Sequence, residues 1–236
     1  MAAATSTYAG MVRAIRGGHT AGNRVRMLKL PLVLTDAKLY FGAIAQFYWL
    51  TRALEDALAA APKADAGVRR VRGLELEGLS AKYEADLAAL GGDGWRREAE
   101  ARRTAETAAY CKELADASPT ELCAAAFILW GALVVGGGRA TQMKVRRVFP
   151  GAEHVLFDVA DDMKVARRRF RECFDACGEE GGPDARAELE RCAAHFMSRN
   201  NSVILSIRCL PFWWWRVVCA VAAAALAVAA TLLVRS

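Results

Sequence analysis

Residues 118–144 read SPTELCAAAFILWGALVVGGGRATQMK, and this stretch decides the fold class. Ser118, Pro119 and Glu121 form a helix start: a side-chain oxygen to cap, a proline at the first position, and an acid three residues on. An apolar helix follows, and Gly136, Gly137 and Gly138 fall inside it. Each glycine costs about 1 kcal/mol relative to alanine in a helix, so three in succession predict a kink. Glycine also lets backbone come close to something. On these residues alone the kink is either a tight crossing or loop, or a seat for a flat ligand.

Outward from this helix the chain reads as helical almost throughout, rich in Ala, Leu, Glu and Arg and poor in strand-like alternation. A segment from Tyr8 to Arg26 is expected to be interrupted at Gly17-Gly18. Asp36 to Ala60 carries Phe41, Ile44, Phe47, Tyr48, Leu50, Leu54 and Leu58 at helical spacing, with Thr35 or Asp36 as cap. Residues 61–67 are expected as a loop. Leu74–Leu90 is a helix stopped by Gly91-Gly92, and Gly94–Asp116 another. Val159–Ala176 and Pro183–Leu210 complete the set across a GEEGG loop. The fold class is therefore all-α, with one helical domain over 1–210.

Residues 211–236 differ in kind. Val217–Val234 is an 18-residue run without a charge, preceded by Phe212 and three tryptophans. That length suits a transmembrane helix, with the tryptophans at headgroup level. The reading is a C-terminal anchor, with the domain facing the cytosol because Arg208 and Arg216 precede the run. The endoplasmic reticulum is the expected membrane. A mitochondrial address is the alternative, since no acid precedes Asp36 while Arg13, Arg16, Arg24, Arg26 and Lys29 do. Residues 1–18 hold no unbroken apolar stretch, so no secretory signal is expected. Seven scattered cysteines, with no CxxC pair, imply neither zinc nor a disulfide framework. The net charge of +6 comes without the basic, aromatic-interleaved blocks of a nucleic-acid binder, so no nucleic acid is expected.

Only three histidines occur, at 19, 154 and 195. A neutral imidazole is the usual single protein ligand to iron held in a macrocycle. Several segments together resemble the heme oxygenase family over about residues 10–205. GGHTAGN (17–23) resembles its proximal-histidine segment, and YWLTRALEDAL (48–58) its aromatic helix. LEGLSAKYEADLAALGGDGW (76–95) resembles the segment ending near a turn and Trp. Residues 118–144 resemble the distal helix with its glycine kink, and MKVARRRFREC (163–173) a propionate-binding segment. Several family members also end in a membrane anchor.

The resemblance implies heme as both cofactor and substrate, with His19 on the iron. Arg16 and Arg13 would lie near the propionates on one side, and Arg169 and Arg171 on the other. Gly136, Gly137, Gly138, Val134 and Arg139 would form the distal side. It further implies electrons from NADPH through a partner reductase, and biliverdin, carbon monoxide and ferrous iron as products. The chain departs from the family at the distal motif, Gly-Asp, two residues, Gly-Gly. With Gly137-Gly138 as the pair, Val134 stands at the Asp and Leu133 at a glycine. With Gly136-Gly137, Leu133 and Ala132 take those places. Either way an aliphatic side chain cannot order water. Either Arg139, Thr141 or Gln142 substitutes, or the protein is a heme-binding or heme-sensing pseudoenzyme. A tail-anchored helical interaction protein is the third reading, although FILWGALVVGGG holds no convincing groove motif.

Overall fold

This computed structural model describes residues 6–210, apart from 77 and 181, and also 220 and 223. These fold as α1 (Thr7–Val33), α2 (Ala37–Ala60), α3 (Ala66–Arg72), α4 (Leu79–Gly91), α5 (Trp95–Ala101), α6 (Ala105–Ala115), α7 (Pro119–Val134), α8 (Gly138–Val148), α9 (Met163–Glu180) and α10 (Gly182–Ser206). Short 3-10 turns cover Gly92–Gly94 and Val155–Phe157. No strand occurs among the described residues. The membrane helix expected over 211–236 lies outside the described residues, save 220 and 223. Among the described residues no single helix is long and apolar enough to cross a membrane.

The expected caps are in place. Asp36 accepts from Lys38 N at the start of α2. At α7, Ser118 Oγ accepts from Glu121 N while Glu121 Oε2 accepts from Ser118 N at 2.8 Å, a reciprocal capping box. Other boundaries differ from the sequence reading. A short helix, α3, occupies part of the expected loop and its sequel, capped by Asp65 accepting from Val68 N at 2.9 Å. α4 starts at Leu79 because Gly78 sits at φ 88°, outside helical space. The single helix expected over Gly94–Asp116 is two. Buried Gln46 causes the break: its Nε2 donates to Gly42 O and Arg102 O, and its Oε1 accepts from Thr104 N and the Thr107 hydroxyl. All four bonds the amide can make are thus made, and Thr104 becomes the cap of α6.

The largest difference concerns α1, which runs unbroken through Gly17-Gly18. Gly18 and Gly22 are there for packing. A Cβ on Gly18 would lie 2.9 Å from Met197 Cγ of α10, and one on Gly22 would lie 2.0 Å from Asn201 Oδ1. Asn201 Nδ2 in turn donates to the Gly18 carbonyl at 2.8 Å. Glycine here lets two helices touch backbone to side chain.

The core forms two apolar clusters. One gathers Phe127 and Trp130 of α7, Phe170 and Phe174 of α9, Phe196 of α10 and Leu50, Leu54 and Leu58 of α2. The other gathers Tyr40, Phe41, Ile44 and Tyr48 of α2 with Tyr83, Leu87, Trp95, Val145 and Leu156. Phe47 and Leu133 pack against both. α7 is thus the central helix, as its unrelieved apolar sequence requires.

Candidate functional site

α1 is fastened along one side. At its start Asp175 of α9 accepts from Ser6 Oγ at 2.7 Å and Tyr8 N at 2.9 Å. Near its end Lys29 Nζ donates to carbonyls at the end of α10 and just beyond it, Ile204 O at 3.1 Å and Ile207 O at 2.8 Å. A lysine there both satisfies orphan carbonyls and meets the negative end of the helix dipole.

The other side of α1 is open. Tyr8, Val12, Ile15, His19, Arg26 and Leu30 fall on one face by helical spacing. Contacts at both ends of this face fix where it points. Tyr8 meets Phe127 of α7 edge-on, ring centroids 5.8 Å apart. At the far end Met27, Leu30, Pro31 and Leu34 look across an apolar cleft of about 340 Å³ to Lys144, Arg147 and Val148 of α8. His19 lies between these two points, exposed and without a hydrogen-bond partner among the described residues. By helical spacing it falls on the face that meets α7 at one end and α8 at the other.

Where α7 passes into α8 the helices turn by 56°. The three glycines do different things. A Cβ on Gly136 would lie 2.4 Å from Ala132 O, so no side chain fits within this backbone path. Gly137 is exposed, with nothing within 4 Å of where its Cβ would be. Gly138 is buried, and a Cβ there would lie 3.2 Å from Leu133 O. The surface open to a flat ligand is thus Gly136-Gly137, not all three.

Behind the turn, α8 is held by a buried polar network. Gln142 Nε2 donates both hydrogens, to His154 O at 3.0 Å and Asp158 Oδ1 at 2.9 Å. Asp86 of α4 accepts from Val155 N at 2.9 Å and Leu156 N at 2.8 Å. Burial pushes the Asp86 carboxyl above the ordinary aspartate value despite those two bonds. His154, fully buried at φ 57°, sits 3.3 Å from the Tyr40 hydroxyl through Nδ1 and 3.0 Å from Phe149 O through Nε2.

The expected distal residues are placed as follows. Val134 is fully buried in the apolar core, and Leu133 is wedged between the two clusters. Thr141 Oγ1 donates to Gly137 O at 3.2 Å, and Gln142 is engaged as described. Arg139 is exposed and has no partner among the described residues.

The arginines divide sharply. Arg16 flanks the His19 face, exposed and unpartnered among the described residues, whereas Arg13 is turned about 120° from His19 around α1. Arg169 is directed elsewhere: it pairs with Glu75 at 3.4 Å and donates to Gly73 O at 3.2 Å. Arg171 stacks over the Tyr8 ring at 5.6 Å. Arg167, which the sequence reading passed over, donates from Nε to Val134 O at 3.0 Å, at the end of α7. Its signal was available: Arg167, Phe170, Arg171 and Phe174 follow i, i+3, i+4, i+7, and the two phenylalanines are core. That spacing puts Arg167 and Arg171, and not Arg169, beside the packed face.

These features define a class: an all-α protein in which a histidine-bearing helix faces a glycine-broken one across an open cleft. The chain belongs to the heme oxygenase family, whose model it matches over residues 14–198. Its fold is that of solved heme oxygenases. Heme oxygenase 2 from Chlamydomonas reinhardtii, solved without heme, superposes with a TM-score of 0.77 at 24% identity, covering 86% of this chain and 97% of that one. Heme oxygenase-1 from Synechocystis sp. PCC6803, in complex with heme, gives 0.70 at 18% identity, covering 86% and 93%. Heme oxygenase-2 from the same cyanobacterium, with heme and NO, gives 0.73 at 18%, covering 86% and 85%. No curated relative matches significantly in sequence.

Proposed function

We propose that the protein binds heme between α1 and the α7–α8 turn and cleaves it oxidatively to biliverdin, carbon monoxide and ferrous iron. Electrons would come from NADPH through a partner reductase. The observation that supports this reading is His19, exposed and unpartnered among the described residues on the open face of α1, the helix that shares a cleft with α8. The surroundings suit a flat, apolar dianion. Val12, Ile15, Met27 and Leu30 supply apolar contact on the α1 side, and Val135 and Val148 on the other. Arg16, Arg139, Lys144 and Arg147 supply positive charge suited to carboxylates.

Bound heme supplies the redox chemistry at its iron. The chain's own part is positional. His19 would hold the iron, and Gly136-Gly137, bare of side chains, would let the ring come close to backbone. Arg171, and Arg167 at the end of α7, are better placed than Arg169 for the propionates, because Arg169 is occupied by Glu75 and Gly73. Residues 211–236 would hold the domain at a membrane, the endoplasmic reticulum in the first instance, close to a membrane-bound reductase.

Hemin titration of the full chain tests the reading. A Soret band should form with one heme per chain, and His19→Ala should weaken it at least tenfold in affinity. No heme binding by the wild type would reject it.

A second reading has its own observation. Val134 is enclosed by apolar side chains, Gln142 Nε2 is spent on His154 O and Asp158, and Arg139 alone of the three candidate substitutes has a side chain with no partner among the described residues. A heme-binding or heme-sensing role without efficient turnover follows if Arg139 does not order water. With reductase and NADPH, loss of the Soret band with biliverdin formation supports the enzyme. A stable ferrous complex supports the second reading.

A further inference from the structure

α1 and α10 run side by side in the same direction. A Cβ on Gly10 would strike the Glu190 side chain, one on Gly18 would meet Met197, and Lys29 Nζ reaches Ile204 O and Ile207 O. Both helices therefore finish at one end of the bundle, and that end is apolar on the outside. Leu28 is 74% exposed, more than any other large apolar side chain among the described residues, and Leu205 is 60% exposed. Leu32 and Leu210 are exposed as well. Leu28 is turned about 180° from His19 around α1, and Leu32 about 140°, so the heme reading gives these leucines no part.

The charge in these paired segments has one sign. No Asp or Glu occurs in residues 1–35 or in residues 191–236. Arg24, one turn before Leu28, and Arg208, between Leu205 and Leu210, are exposed, and their side chains have no partner among the described residues. Arg26, Lys29 and Arg199, by contrast, are spent on Asn23, on the carbonyls after Val203 and on Glu113. The next acid along from α1, Asp36, turns its carboxylate to Lys38 N. Past Leu210 the sequence runs into Phe212, three tryptophans and the uncharged stretch Val217–Val234. Exposed leucines beside unpaired arginines suit the headgroup layer of an anionic bilayer, where the apolar side chains reach the acyl boundary and the guanidinium groups meet phosphate. An acidic protein would answer the arginines alone, and the continuation into an uncharged stretch favours lipid.

We propose that this end of the bundle, with Leu28, Leu32, Leu205 and Leu210, docks the helical domain directly onto an anionic membrane surface, Arg24 and Arg208 lying on the lipid phosphates. The proposal builds on the membrane placement proposed above but concerns the domain's own face: the domain lies against the bilayer and does not hang clear of it on residues 211–236. Leu30 and Pro31, which line one end of the cleft between α1 and α8, follow Leu28 within one turn. Docking would thus hold that end of the cleft beside the headgroups, where an apolar ligand collects.

The test uses the full chain without hemin, so its outcome is independent of heme binding. The protein is reconstituted in vesicles of phosphatidylcholine and phosphatidylserine that carry a phospholipid with a photoreactive diazirine on its acyl chain. After irradiation, lipid adducts are mapped by peptide mass spectrometry. Adducts are expected in residues 24–32 and 204–210, several-fold above those at Met143, which is equally open to solvent. Leaving out phosphatidylserine should lower them, because the arginines then lose their anionic partner. Leu28→Glu combined with Leu205→Glu should lower them by about fivefold or more while hemin affinity stays as in the wild type. Adducts in residues 217–234 report the anchor separately. Adducts in 24–32 and 204–210 without any in 217–234 support the proposal and reject the anchor. Adducts in 217–234 alone, or labelling of 24–32 and 204–210 no stronger than that of Met143, overturn the proposal and leave the leucines to a protein partner.

Discussion

Gly17→Ala tests the orientation of His19 through the continuity of the helix that carries it. Gly17 lies inside α1, and nothing stands within 4 Å of where its Cβ would be. Its backbone is not among the positive-φ glycines. Alanine there should gain the helix-propensity difference of about 0.8–1.0 kcal/mol with no steric penalty. For a protein of this size that raises the midpoint of thermal unfolding by about 2–4 °C. Gly22→Ala is the internal control, five residues on in the same helix. Its Cβ would strike Asn201 Oδ1 at 2.0 Å and displace the side chain that donates to Gly18 O. Overpacking of about 1–3 kcal/mol and a lost hydrogen bond of about 0.5–1.5 kcal/mol outweigh the gain of about 1 kcal/mol. The net loss, about 2 kcal/mol, lowers the midpoint by about 4–8 °C. Melting followed by circular dichroism at 222 nm measures both. Hemin affinity should be unchanged in Gly17→Ala, because position 17 is turned about 160° from His19 around the helix. A lower midpoint for Gly17→Ala would mean that the helix breaks there. His19 would then not share a face with Tyr8 and Leu30, and its proposed direction would be refuted.

Two further outcomes are expected. Arg167→Ala should raise the hemin dissociation constant by about 5–30-fold, the effect of losing roughly 1–2 kcal/mol of charge-assisted hydrogen bonding, while Arg169→Ala changes it less than twofold. Equal effects in the two variants would refute the assignment. Asp86 gives a pH dependence of definite sign. Its carboxyl titrates higher in the fold than when unfolded, so its contribution to stability is fullest below the unfolded value near 3.9 and is lost as pH rises through the folded value. The stability gap between wild type and Asp86→Asn should therefore widen as pH falls from about 7 to about 4 in urea unfolding. A gap that narrows would contradict the raised value.

What could be read in advance follows the range of the interaction responsible. The α7 cap was legible because Ser118, Pro119 and Glu121 sit within one turn and act on each other. The same holds for Asp36, whose partner Lys38 N is two residues away. The glycine turn was legible for a related reason, since glycine's helix penalty is local. Gly17-Gly18 misled because the local signal says interruption, and the compensating partner, Asn201, lies far along the chain. Gln46 splits α5 from α6 in the same way, through bonds to Arg102, Thr104 and Thr107 that no local pattern announces. On the site side, His19 and the glycines stood out by type. The arginines of α9 did not, because three in a row look alike until the buried Phe170 and Phe174 show which face is inward.

The fastening of α1 has a consequence for timing. The residues that pin it, Asp175, Asn201 and the carbonyls of Ile204 and Ile207, belong to α9, to α10 and to the residue just after α10. A ribosome adding roughly 5–20 residues per second needs on the order of ten to thirty seconds to pass from the end of α1 to the end of α10. Throughout that interval the helix bearing His19 has been made but lacks the surface that orients it. If His19 is the heme ligand proposed above, a nascent chain would hold that ligand without a pocket around it. On that reading, loading would wait until synthesis of the domain is nearly done, sparing the cell a half-built protein carrying reactive iron.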